Sequence, residues 1–282
     1  MMQDERIAKI RGGHWIRYAR AEQIDKKLDE LLRLPKTRRM PNLLIAGETN
    51  NGKTALVTRF VRRHPPELGA HGTPSGVPVI AIQAPPIPDE RRFYQAILTR
   101  LFAPFRPSRS AGLLQYEVMQ LLATVGLRML IIDEVQHVLA GPLLKQRHFL
   151  NVIKYLGNEL QIPIVAVGTH DAFNAIHTDP QLANRFEPAL LAKWTMNDEY
   201  LRLLASFEIA LGLKHRSNLL EPDLAMMILS LGEGTIGEIA ALLSRAALHA
   251  IERGTERITT SALQQCGYTS PSKRRRAAVR FA

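Results

Sequence analysis

Residues 47–54 read Gly-Glu-Thr-Asn-Asn-Gly-Lys-Thr, and the run Leu43-Leu44-Ile45-Ala46 stands directly before them. An apolar strand, a turn with glycine at its first and sixth positions, then Lys-Thr opening a helix is the pattern of a phosphate-binding loop. Its chemistry follows from the residue types. Small residues let backbone N–H groups converge on a phosphate, and the helix that follows adds its positive end. Lys53 is placed to reach the β and γ oxygens of ATP, and the Thr54 hydroxyl to hold Mg2+. Gly47, Glu48, Thr49, Asn50, Asn51, Gly52 and Ala55 supply the rest of the cradle. A glycine turn with a merely exposed lysine would lack the strand before and the helix after.

Working outward, LRMLIIDEVQHV carries an apolar strand that ends in Asp133 and Glu134, about 80 residues beyond the loop. After a phosphate loop, such a pair fits Asp133 holding Mg2+ through water and Glu134 deprotonating the attacking water. Taken alone, the two carboxylates would equally suit a helix N-terminus. VAVGTHDA places Thr169 just past another apolar strand, where its hydroxyl can sense a γ-phosphate; a plain helix N-cap is the alternative.

The surrounding pattern is strand, loop, helix, repeated. LLIA (43–46), VPVIAI (77–82), RMLIID (128–133), PIVAVG (163–168) and PALLAKW (188–194) read as strands, with helices over 54–63, 89–103 and 143–160. Continuous apolar strands alternating with helices predict a parallel five-stranded sheet covered on both faces, an α/β core over 42–196. Before it, residues 15–34 have helical spacing, and the proline-bounded PKTRRMP closes an arm over 1–41. After Asn197 only helical patterns remain, a lid over 197–268, with Thr235 and Glu238 spaced as a capping box. The basic run PSKRRRAAVRFA suggests a disordered tail over 269–282.

Composition limits the rest. With 46% apolar and 22% charged residues the chain can build a full core. No apolar run approaches membrane-span length, no secretory pattern opens the chain, and Cys266 is the single cysteine, so a reducing cytoplasm is expected. The 37 basic against 26 acidic residues, net +11, favour a polyanionic partner, with double-stranded DNA leading. Arg91, Arg92, Arg100, Arg106 and Arg109 cluster on or after the helix following the second strand and are the candidate phosphate contacts; a solvated basic face would look the same. His137, His148, His170 and His177 have no metal-ligand spacing, so no DNA-cutting centre is expected.

The order of phosphate loop, acidic strand end, polar strand end and basic residue before a helical lid resembles the AAA+ superfamily. That resemblance puts Arg185, in DPQLANRFEP, at the position of an arginine finger acting on a neighbouring subunit, and so implies a homo-oligomer, a ring or filament. An ion pair with Glu187 is the bland alternative. Where the superfamily places a lid arginine, this chain has Gly237, with Arg245 two turns later. HWIRYARA, RRMPNLLIAGETNNGKT, IIDEVQH, VGTHDAF, LANRFE and GTIGEIAALL together resemble TniB, the ATP-binding transposition proteins related to TnsC. The resemblance implies an ATPase that assembles on target DNA and serves a separate transposase, with a TniQ-type targeting protein as a further partner. A helicase loader or replication initiator, or a DNA-binding module that ATP merely switches, would share the same motifs.

Overall fold

The computed structural model describes residues 3–13, 15–68, 74–139, 142–178 and 183–279. His14 of the HWIRYARA motif, Asp179–Leu182 of DPQLANRFEP and the last three residues lie outside the described residues. The chain forms two compact units, Gln23–Gly47 with Lys53–Leu191, and Met1–Glu22 with Glu48–Gly52 and Ala192–Ala282. Helices α1 (Gln3–Arg11) and α2 (Ala19–Arg33) open the chain.

The first unit is α/β. Its elements are β1 (Asn42–Gly47), α3 (Lys53–Arg63), the short pair β2 (Glu67–Leu68) and β3 (Pro74–Gly76), β4 (Val79–Gln83), α4 (Glu90–Arg100) and α5 (Ala111–Thr124). They continue with β5 (Met129–Asp133), α6 (Gln136–Leu139), α7 (Leu143–Leu160), β6 (Ile164–Gly168), α8 (His170–Thr178) and β7 (Phe186–Leu191). The five-stranded sheet runs β4-β5-β6-β1-β7, every pairing parallel. β1 and β6 are buried at every residue, which is why both read as unbroken apolar runs. One consequence is that the carboxyl ends of β1, β6 and β5 lie side by side, where open α/β sheets bind ligands.

Helix α5 escaped the sequence reading. Leu114, Val118 and Leu122 are fully buried at four-residue spacing, but Leu113 and Tyr116 on the other face are exposed and blur the stripe. α5 is capped by Ser110, whose hydroxyl accepts from Leu113 N at 3.5 Å.

The second unit is helical: α9 (Asp198–Leu211), α10 (Pro222–Leu231), α11 (Ile236–Glu252), α12 (Thr260–Gln265) and α13 (Pro271–Val279). Its core gathers Tyr200, Leu204, Ile228, Leu242 and Ile258, together with Ile10 and Ile16 from the N-terminal arm. The arm expected as one piece over 1–41 is thus divided between the units at residue 22. Two further expectations are corrected here. Thr235 makes no side-chain cap at α11: its hydroxyl donates to Gly232 O at 3.3 Å, and its N–H to the same oxygen at 3.1 Å. And the basic tail is a helix over Pro271–Val279: Ser272 N donates to Glu233 Oε1 at 2.7 Å, and Arg274 and Arg275 pair with Glu238 and Glu233 at 2.6 and 3.4 Å. Those carboxylates offset the repulsion that four consecutive cations would otherwise feel.

No single helix among the described residues is long and apolar enough to cross a membrane.

Candidate functional site

In the α/β unit the site forms at the strand ends. β1 ends at Gly47, where any Cβ would stand 2.7 Å from the Leu191 carbonyl oxygen of β7; glycine is required there by packing. Helix α3 begins at Lys53, so the first-turn N–H groups of Lys53, Thr54 and Ala55 have no intrahelical acceptor and suit an anion. Lys53 is 6% exposed, and its Nζ donates to Gly47 O at 2.9 Å, which holds the ammonium along the loop. The Thr54 hydroxyl donates to Asp133 Oδ2 at 2.8 Å. Two oxygens that close can share one hard cation, so this pair fits Mg2+.

Glu134 follows in the left-handed region, φ 56, where a non-glycine residue is strained by about 1–3 kcal/mol. Its N–H donates to Asp133 Oδ1 at 2.9 Å, and its carboxylate accepts a close hydrogen bond from the Gln136 amide. Gln136 Oε1 in turn accepts from Thr169 N at 3.2 Å. Sequence reasoning missed Gln136. No sequence pattern marked it; in the structure a Cβ on Gly168 would meet Gln136 Oε1 at 2.8 Å, so the glycine leaves the space this side chain occupies. The Thr169 hydroxyl oxygen is buried with no partner among the described residues, and buried hydroxyls ordinarily have one. A γ-phosphate oxygen or an attacking water would satisfy it.

Loop residues Glu48–Gly52 belong to the helical unit, and there two asparagines fasten them. Asn50 sits at φ 59 and Gly52 at φ 82, the left-handed turn that lets the loop fold back. Asn51, 2% exposed, donates to Ala192 O at 3.0 Å and accepts from Ile236 N at 3.3 Å. Asn50 accepts from Gly237 N at 3.0 Å through its carbonyl and donates to Glu238 Oε1 at 3.0 Å through its amide. A Cβ on Gly237 would lie 2.1 Å from Asn50 Oδ1. NNGKT and GTIGEI are therefore two halves of one contact, and a lid arginine at 237 has no room.

Glu238 also accepts from Tyr268 Oη at 2.6 Å and pairs with Arg274. Burial pushes its carboxyl up, yet the hydrogen bonds from Tyr268, Arg274 and Asn50 outweigh this and hold it below the ordinary carboxylate range. Arg245 donates to Gly267 O at 2.8 Å.

The candidate DNA contacts separate into two groups. Arg91 donates to Pro107 O at 2.8 Å, Arg92 lies 3.7 Å from Asp89, and Arg109 is ion-paired with Glu117. Arg100 and Arg106 are exposed and have no ion-pair partner among the described residues. Arg185 stands immediately before β7, where its guanidinium donates to Asn158 Oδ1 at 3.1 Å; Glu187 pairs with Lys27 instead. Among the described residues no cluster of His, Cys, Asp and Glu could hold a metal by itself.

This sheet order, with a phosphate loop after its first strand and an acidic pair after its third, together with C-terminal helices, defines a P-loop ATPase fold of the AAA+ class. Solved structures share it. ORC1 of Aeropyrum pernix, solved in complex with DNA, superposes with a TM-score of 0.61 at 18% identity over 92% of this chain and 64% of that one. Cdc6p of Pyrobaculum aerophilum gives 0.61 at 18% over 89% and 67%. The RuvB Holliday junction branch migration motor of Thermotoga maritima gives 0.51 at 17% over 87% and 67%. The chain thus spans a little under two thirds of the ORC1 chain. No curated protein is significantly similar in sequence. The chain belongs to the bacterial TniB protein family, whose profile matches residues 6–196.

Proposed function

We propose that this chain is an ATPase of transposition that assembles on double-stranded DNA with ATP and serves a separate transposase. The observation that carries the enzymatic part is the Thr54–Asp133 contact of 2.8 Å beside Lys53, with Glu134 next in the chain. Lys53 and the first turn of α3 bind the β and γ phosphates, while Thr54 and Asp133 hold Mg2+, which would supply charge neutralisation on the phosphate oxygens. Glu134 accepts the proton of the attacking water as the bond between the γ phosphorus and the β–γ bridging oxygen breaks, leaving ADP and phosphate. Thr169 orients that water or the γ-phosphate. Arg185, at the other end of the sheet from Lys53, acts on a neighbour's nucleotide.

DNA binding is supported by the net charge of +11 and by the exposed Arg100 and Arg106, which have no ion-pair partner among the described residues. ORC1 of the same fold was solved in complex with DNA, which supports DNA as the partner. Membership of the TniB family points to transposition, with a TniQ-type protein as the further partner. Electron microscopy of the protein with duplex DNA and a slowly hydrolysed ATP analogue tests the reading. Rings or filaments on DNA that need the nucleotide support it; monomers under those conditions contradict it.

A further inference from the structure

The amino ends of β1 and β7 lie together, Asn42 level with Phe186, and an arginine precedes each strand: Arg39 three residues before Asn42, Arg185 one before Phe186. Both line a cavity of about 450 Å3 with Asn42, Asn184 and Phe186. Among the described residues no carboxylate is ion-paired with either arginine, and Glu187, also at this cavity, is paired with Lys27. Burial first, and then the nearby Arg39 charge, lower the affinity of Arg185 for its proton. Arg39 is exposed and Arg185 half-buried, and an anion bound between them would relieve their mutual repulsion. Arg185 donates to Asn158 Oδ1 at 3.1 Å, so one of the two guanidinium groups is pre-oriented.

The chain's own nucleotide is not that anion. Gly47, where the phosphate loop starts, is five residues along β1 from Asn42, about 17 Å at the ordinary rise of a strand, beyond the reach of an arginine side chain. We infer that Arg39 and Arg185 together form a two-guanidinium site for the terminal phosphates of a nucleotide held by a second copy of the chain. Two planar forks can bind separate oxygens of one phosphate, which fixes its direction as a single arginine cannot. The same chemistry would accept a DNA phosphate. Arg185, half-buried and held by Asn158, suits a single fixed oxyanion better than a passing backbone, and the exposed Arg39 adds its charge at the cavity mouth, so the nucleotide is the ligand assigned. The inference rests on the proposal that Arg185 works in trans and adds Arg39 to it.

The first arm of the test needs no turnover. In Lys53→Ala protein the loop's own phosphate grip is weakened, and inorganic tripolyphosphate should still raise the melting temperature. Adding Arg39→Ala should remove about half of that rise by weakening the site, Arg39→Lys should keep most of it, and Arg39→Glu, which gives Arg185 an internal partner, should abolish it. An equal rise with and without Arg39 overturns the inference.

The second arm uses mixed subunits. Arg39→Ala should lower DNA-stimulated hydrolysis about tenfold or more. Mixing it with Lys53→Ala should restore activity, because some interfaces then join an intact loop to an intact arginine pair. Mixing Arg39→Ala with Arg185→Ala should restore none, because both lesions lie on the same side of every interface. Restoration in that last mixture would place Arg39 in its own subunit's chemistry and overturn the inference alone. Failure of Arg185→Ala with Lys53→Ala, while both assemble, overturns the trans reading and the inference with it. If Arg39→Ala instead leaves hydrolysis intact and lowers the salt slope of DNA binding by about 1, the ligand is DNA and the assignment is wrong.

Discussion

Gln136 accepts a 3.2 Å hydrogen bond from the backbone N–H of Thr169 and gives its own amide to Glu134. One side chain thereby sets the spacing between the end of β6 and the residue placed to activate water. Gln136→Leu keeps the size and removes both bonds. We predict that it lowers kcat for ATP about tenfold or more and leaves KM within about twofold, since displacement of a general base costs rate rather than binding. Steady-state kinetics with DNA present will show the split. An unchanged kcat would mean that Glu134 is held by something else.

Gly237→Ala should disturb the loop from outside. Its Cβ would lie 2.1 Å from Asn50 Oδ1 and 2.6 Å from Asn50 O, the latter a backbone atom that has little freedom to retreat. Overpacking of this kind costs about 1–3 kcal/mol. The melting temperature should fall accordingly, and ATP affinity with it. Gly112→Ala, in the first turn of α5 with nothing within 4 Å, is the control and should be neutral or stabilising.

What the sequence disclosed and what it withheld have a physical division. β1, β5 and β6 were legible because burial on both faces makes strands continuously apolar, and the turn from β1 into α3 was legible because its glycines follow such a run directly. Gln136 was not legible: a glutamine two residues past an acidic pair has no pattern, and its role comes from the approach of β6 in space. The helical tail was misread because the repulsion among Lys273, Arg274, Arg275 and Arg276 is visible in sequence, whereas Glu233 and Glu238, some 40 residues away, are not. Likewise NNGKT and GTIGEI both stand among the stretches that resemble TniB, but what joins them, the Asn50–Gly237 contact, needed coordinates.

Acid should loosen the helical unit. The hydrogen bond from Arg6 lowers Glu256, that from Ser272 lowers Glu233, and Glu238 is lowered as well, all from an ordinary 4.5. A carboxyl depressed in the folded state adds stability that is fully present above its unfolded value and is lost as pH falls through the folded value. The melting temperature should therefore hold from pH 7 to about 5 and drop below about 4.5 as these groups protonate. Glu256→Gln, which breaks the 2.6 Å pair with Arg6, should lower the neutral-pH melting temperature and flatten the acid limb. A melting temperature independent of pH down to 3 would show that these contacts add nothing.

Salt dependence should distinguish the arginines. Each true phosphate contact adds about 0.9 to the slope of log affinity against log salt. Arg100→Ala and Arg106→Ala should each lower that slope by about 1, for all sequences alike. Arg91→Ala and Arg109→Ala should change it less, because those side chains are committed to Pro107 and Glu117. Equal effects from all four would mean that the intramolecular contacts yield to DNA.

The central claim, that ATP held at Lys53 and not yet hydrolysed drives assembly on DNA, is tested most directly by duplex binding of two variants with and without ATP. Fluorescence anisotropy on a labelled duplex suffices. Glu134→Gln should bind DNA tightly once ATP is added and stay bound, because Lys53, Thr54 and Asp133 are intact while the proton acceptor is gone. Lys53→Ala should show no gain from ATP. If Glu134→Gln instead hydrolyses ATP at the unaltered rate, or if Lys53→Ala gains DNA affinity from ATP to the same extent, the account is contradicted.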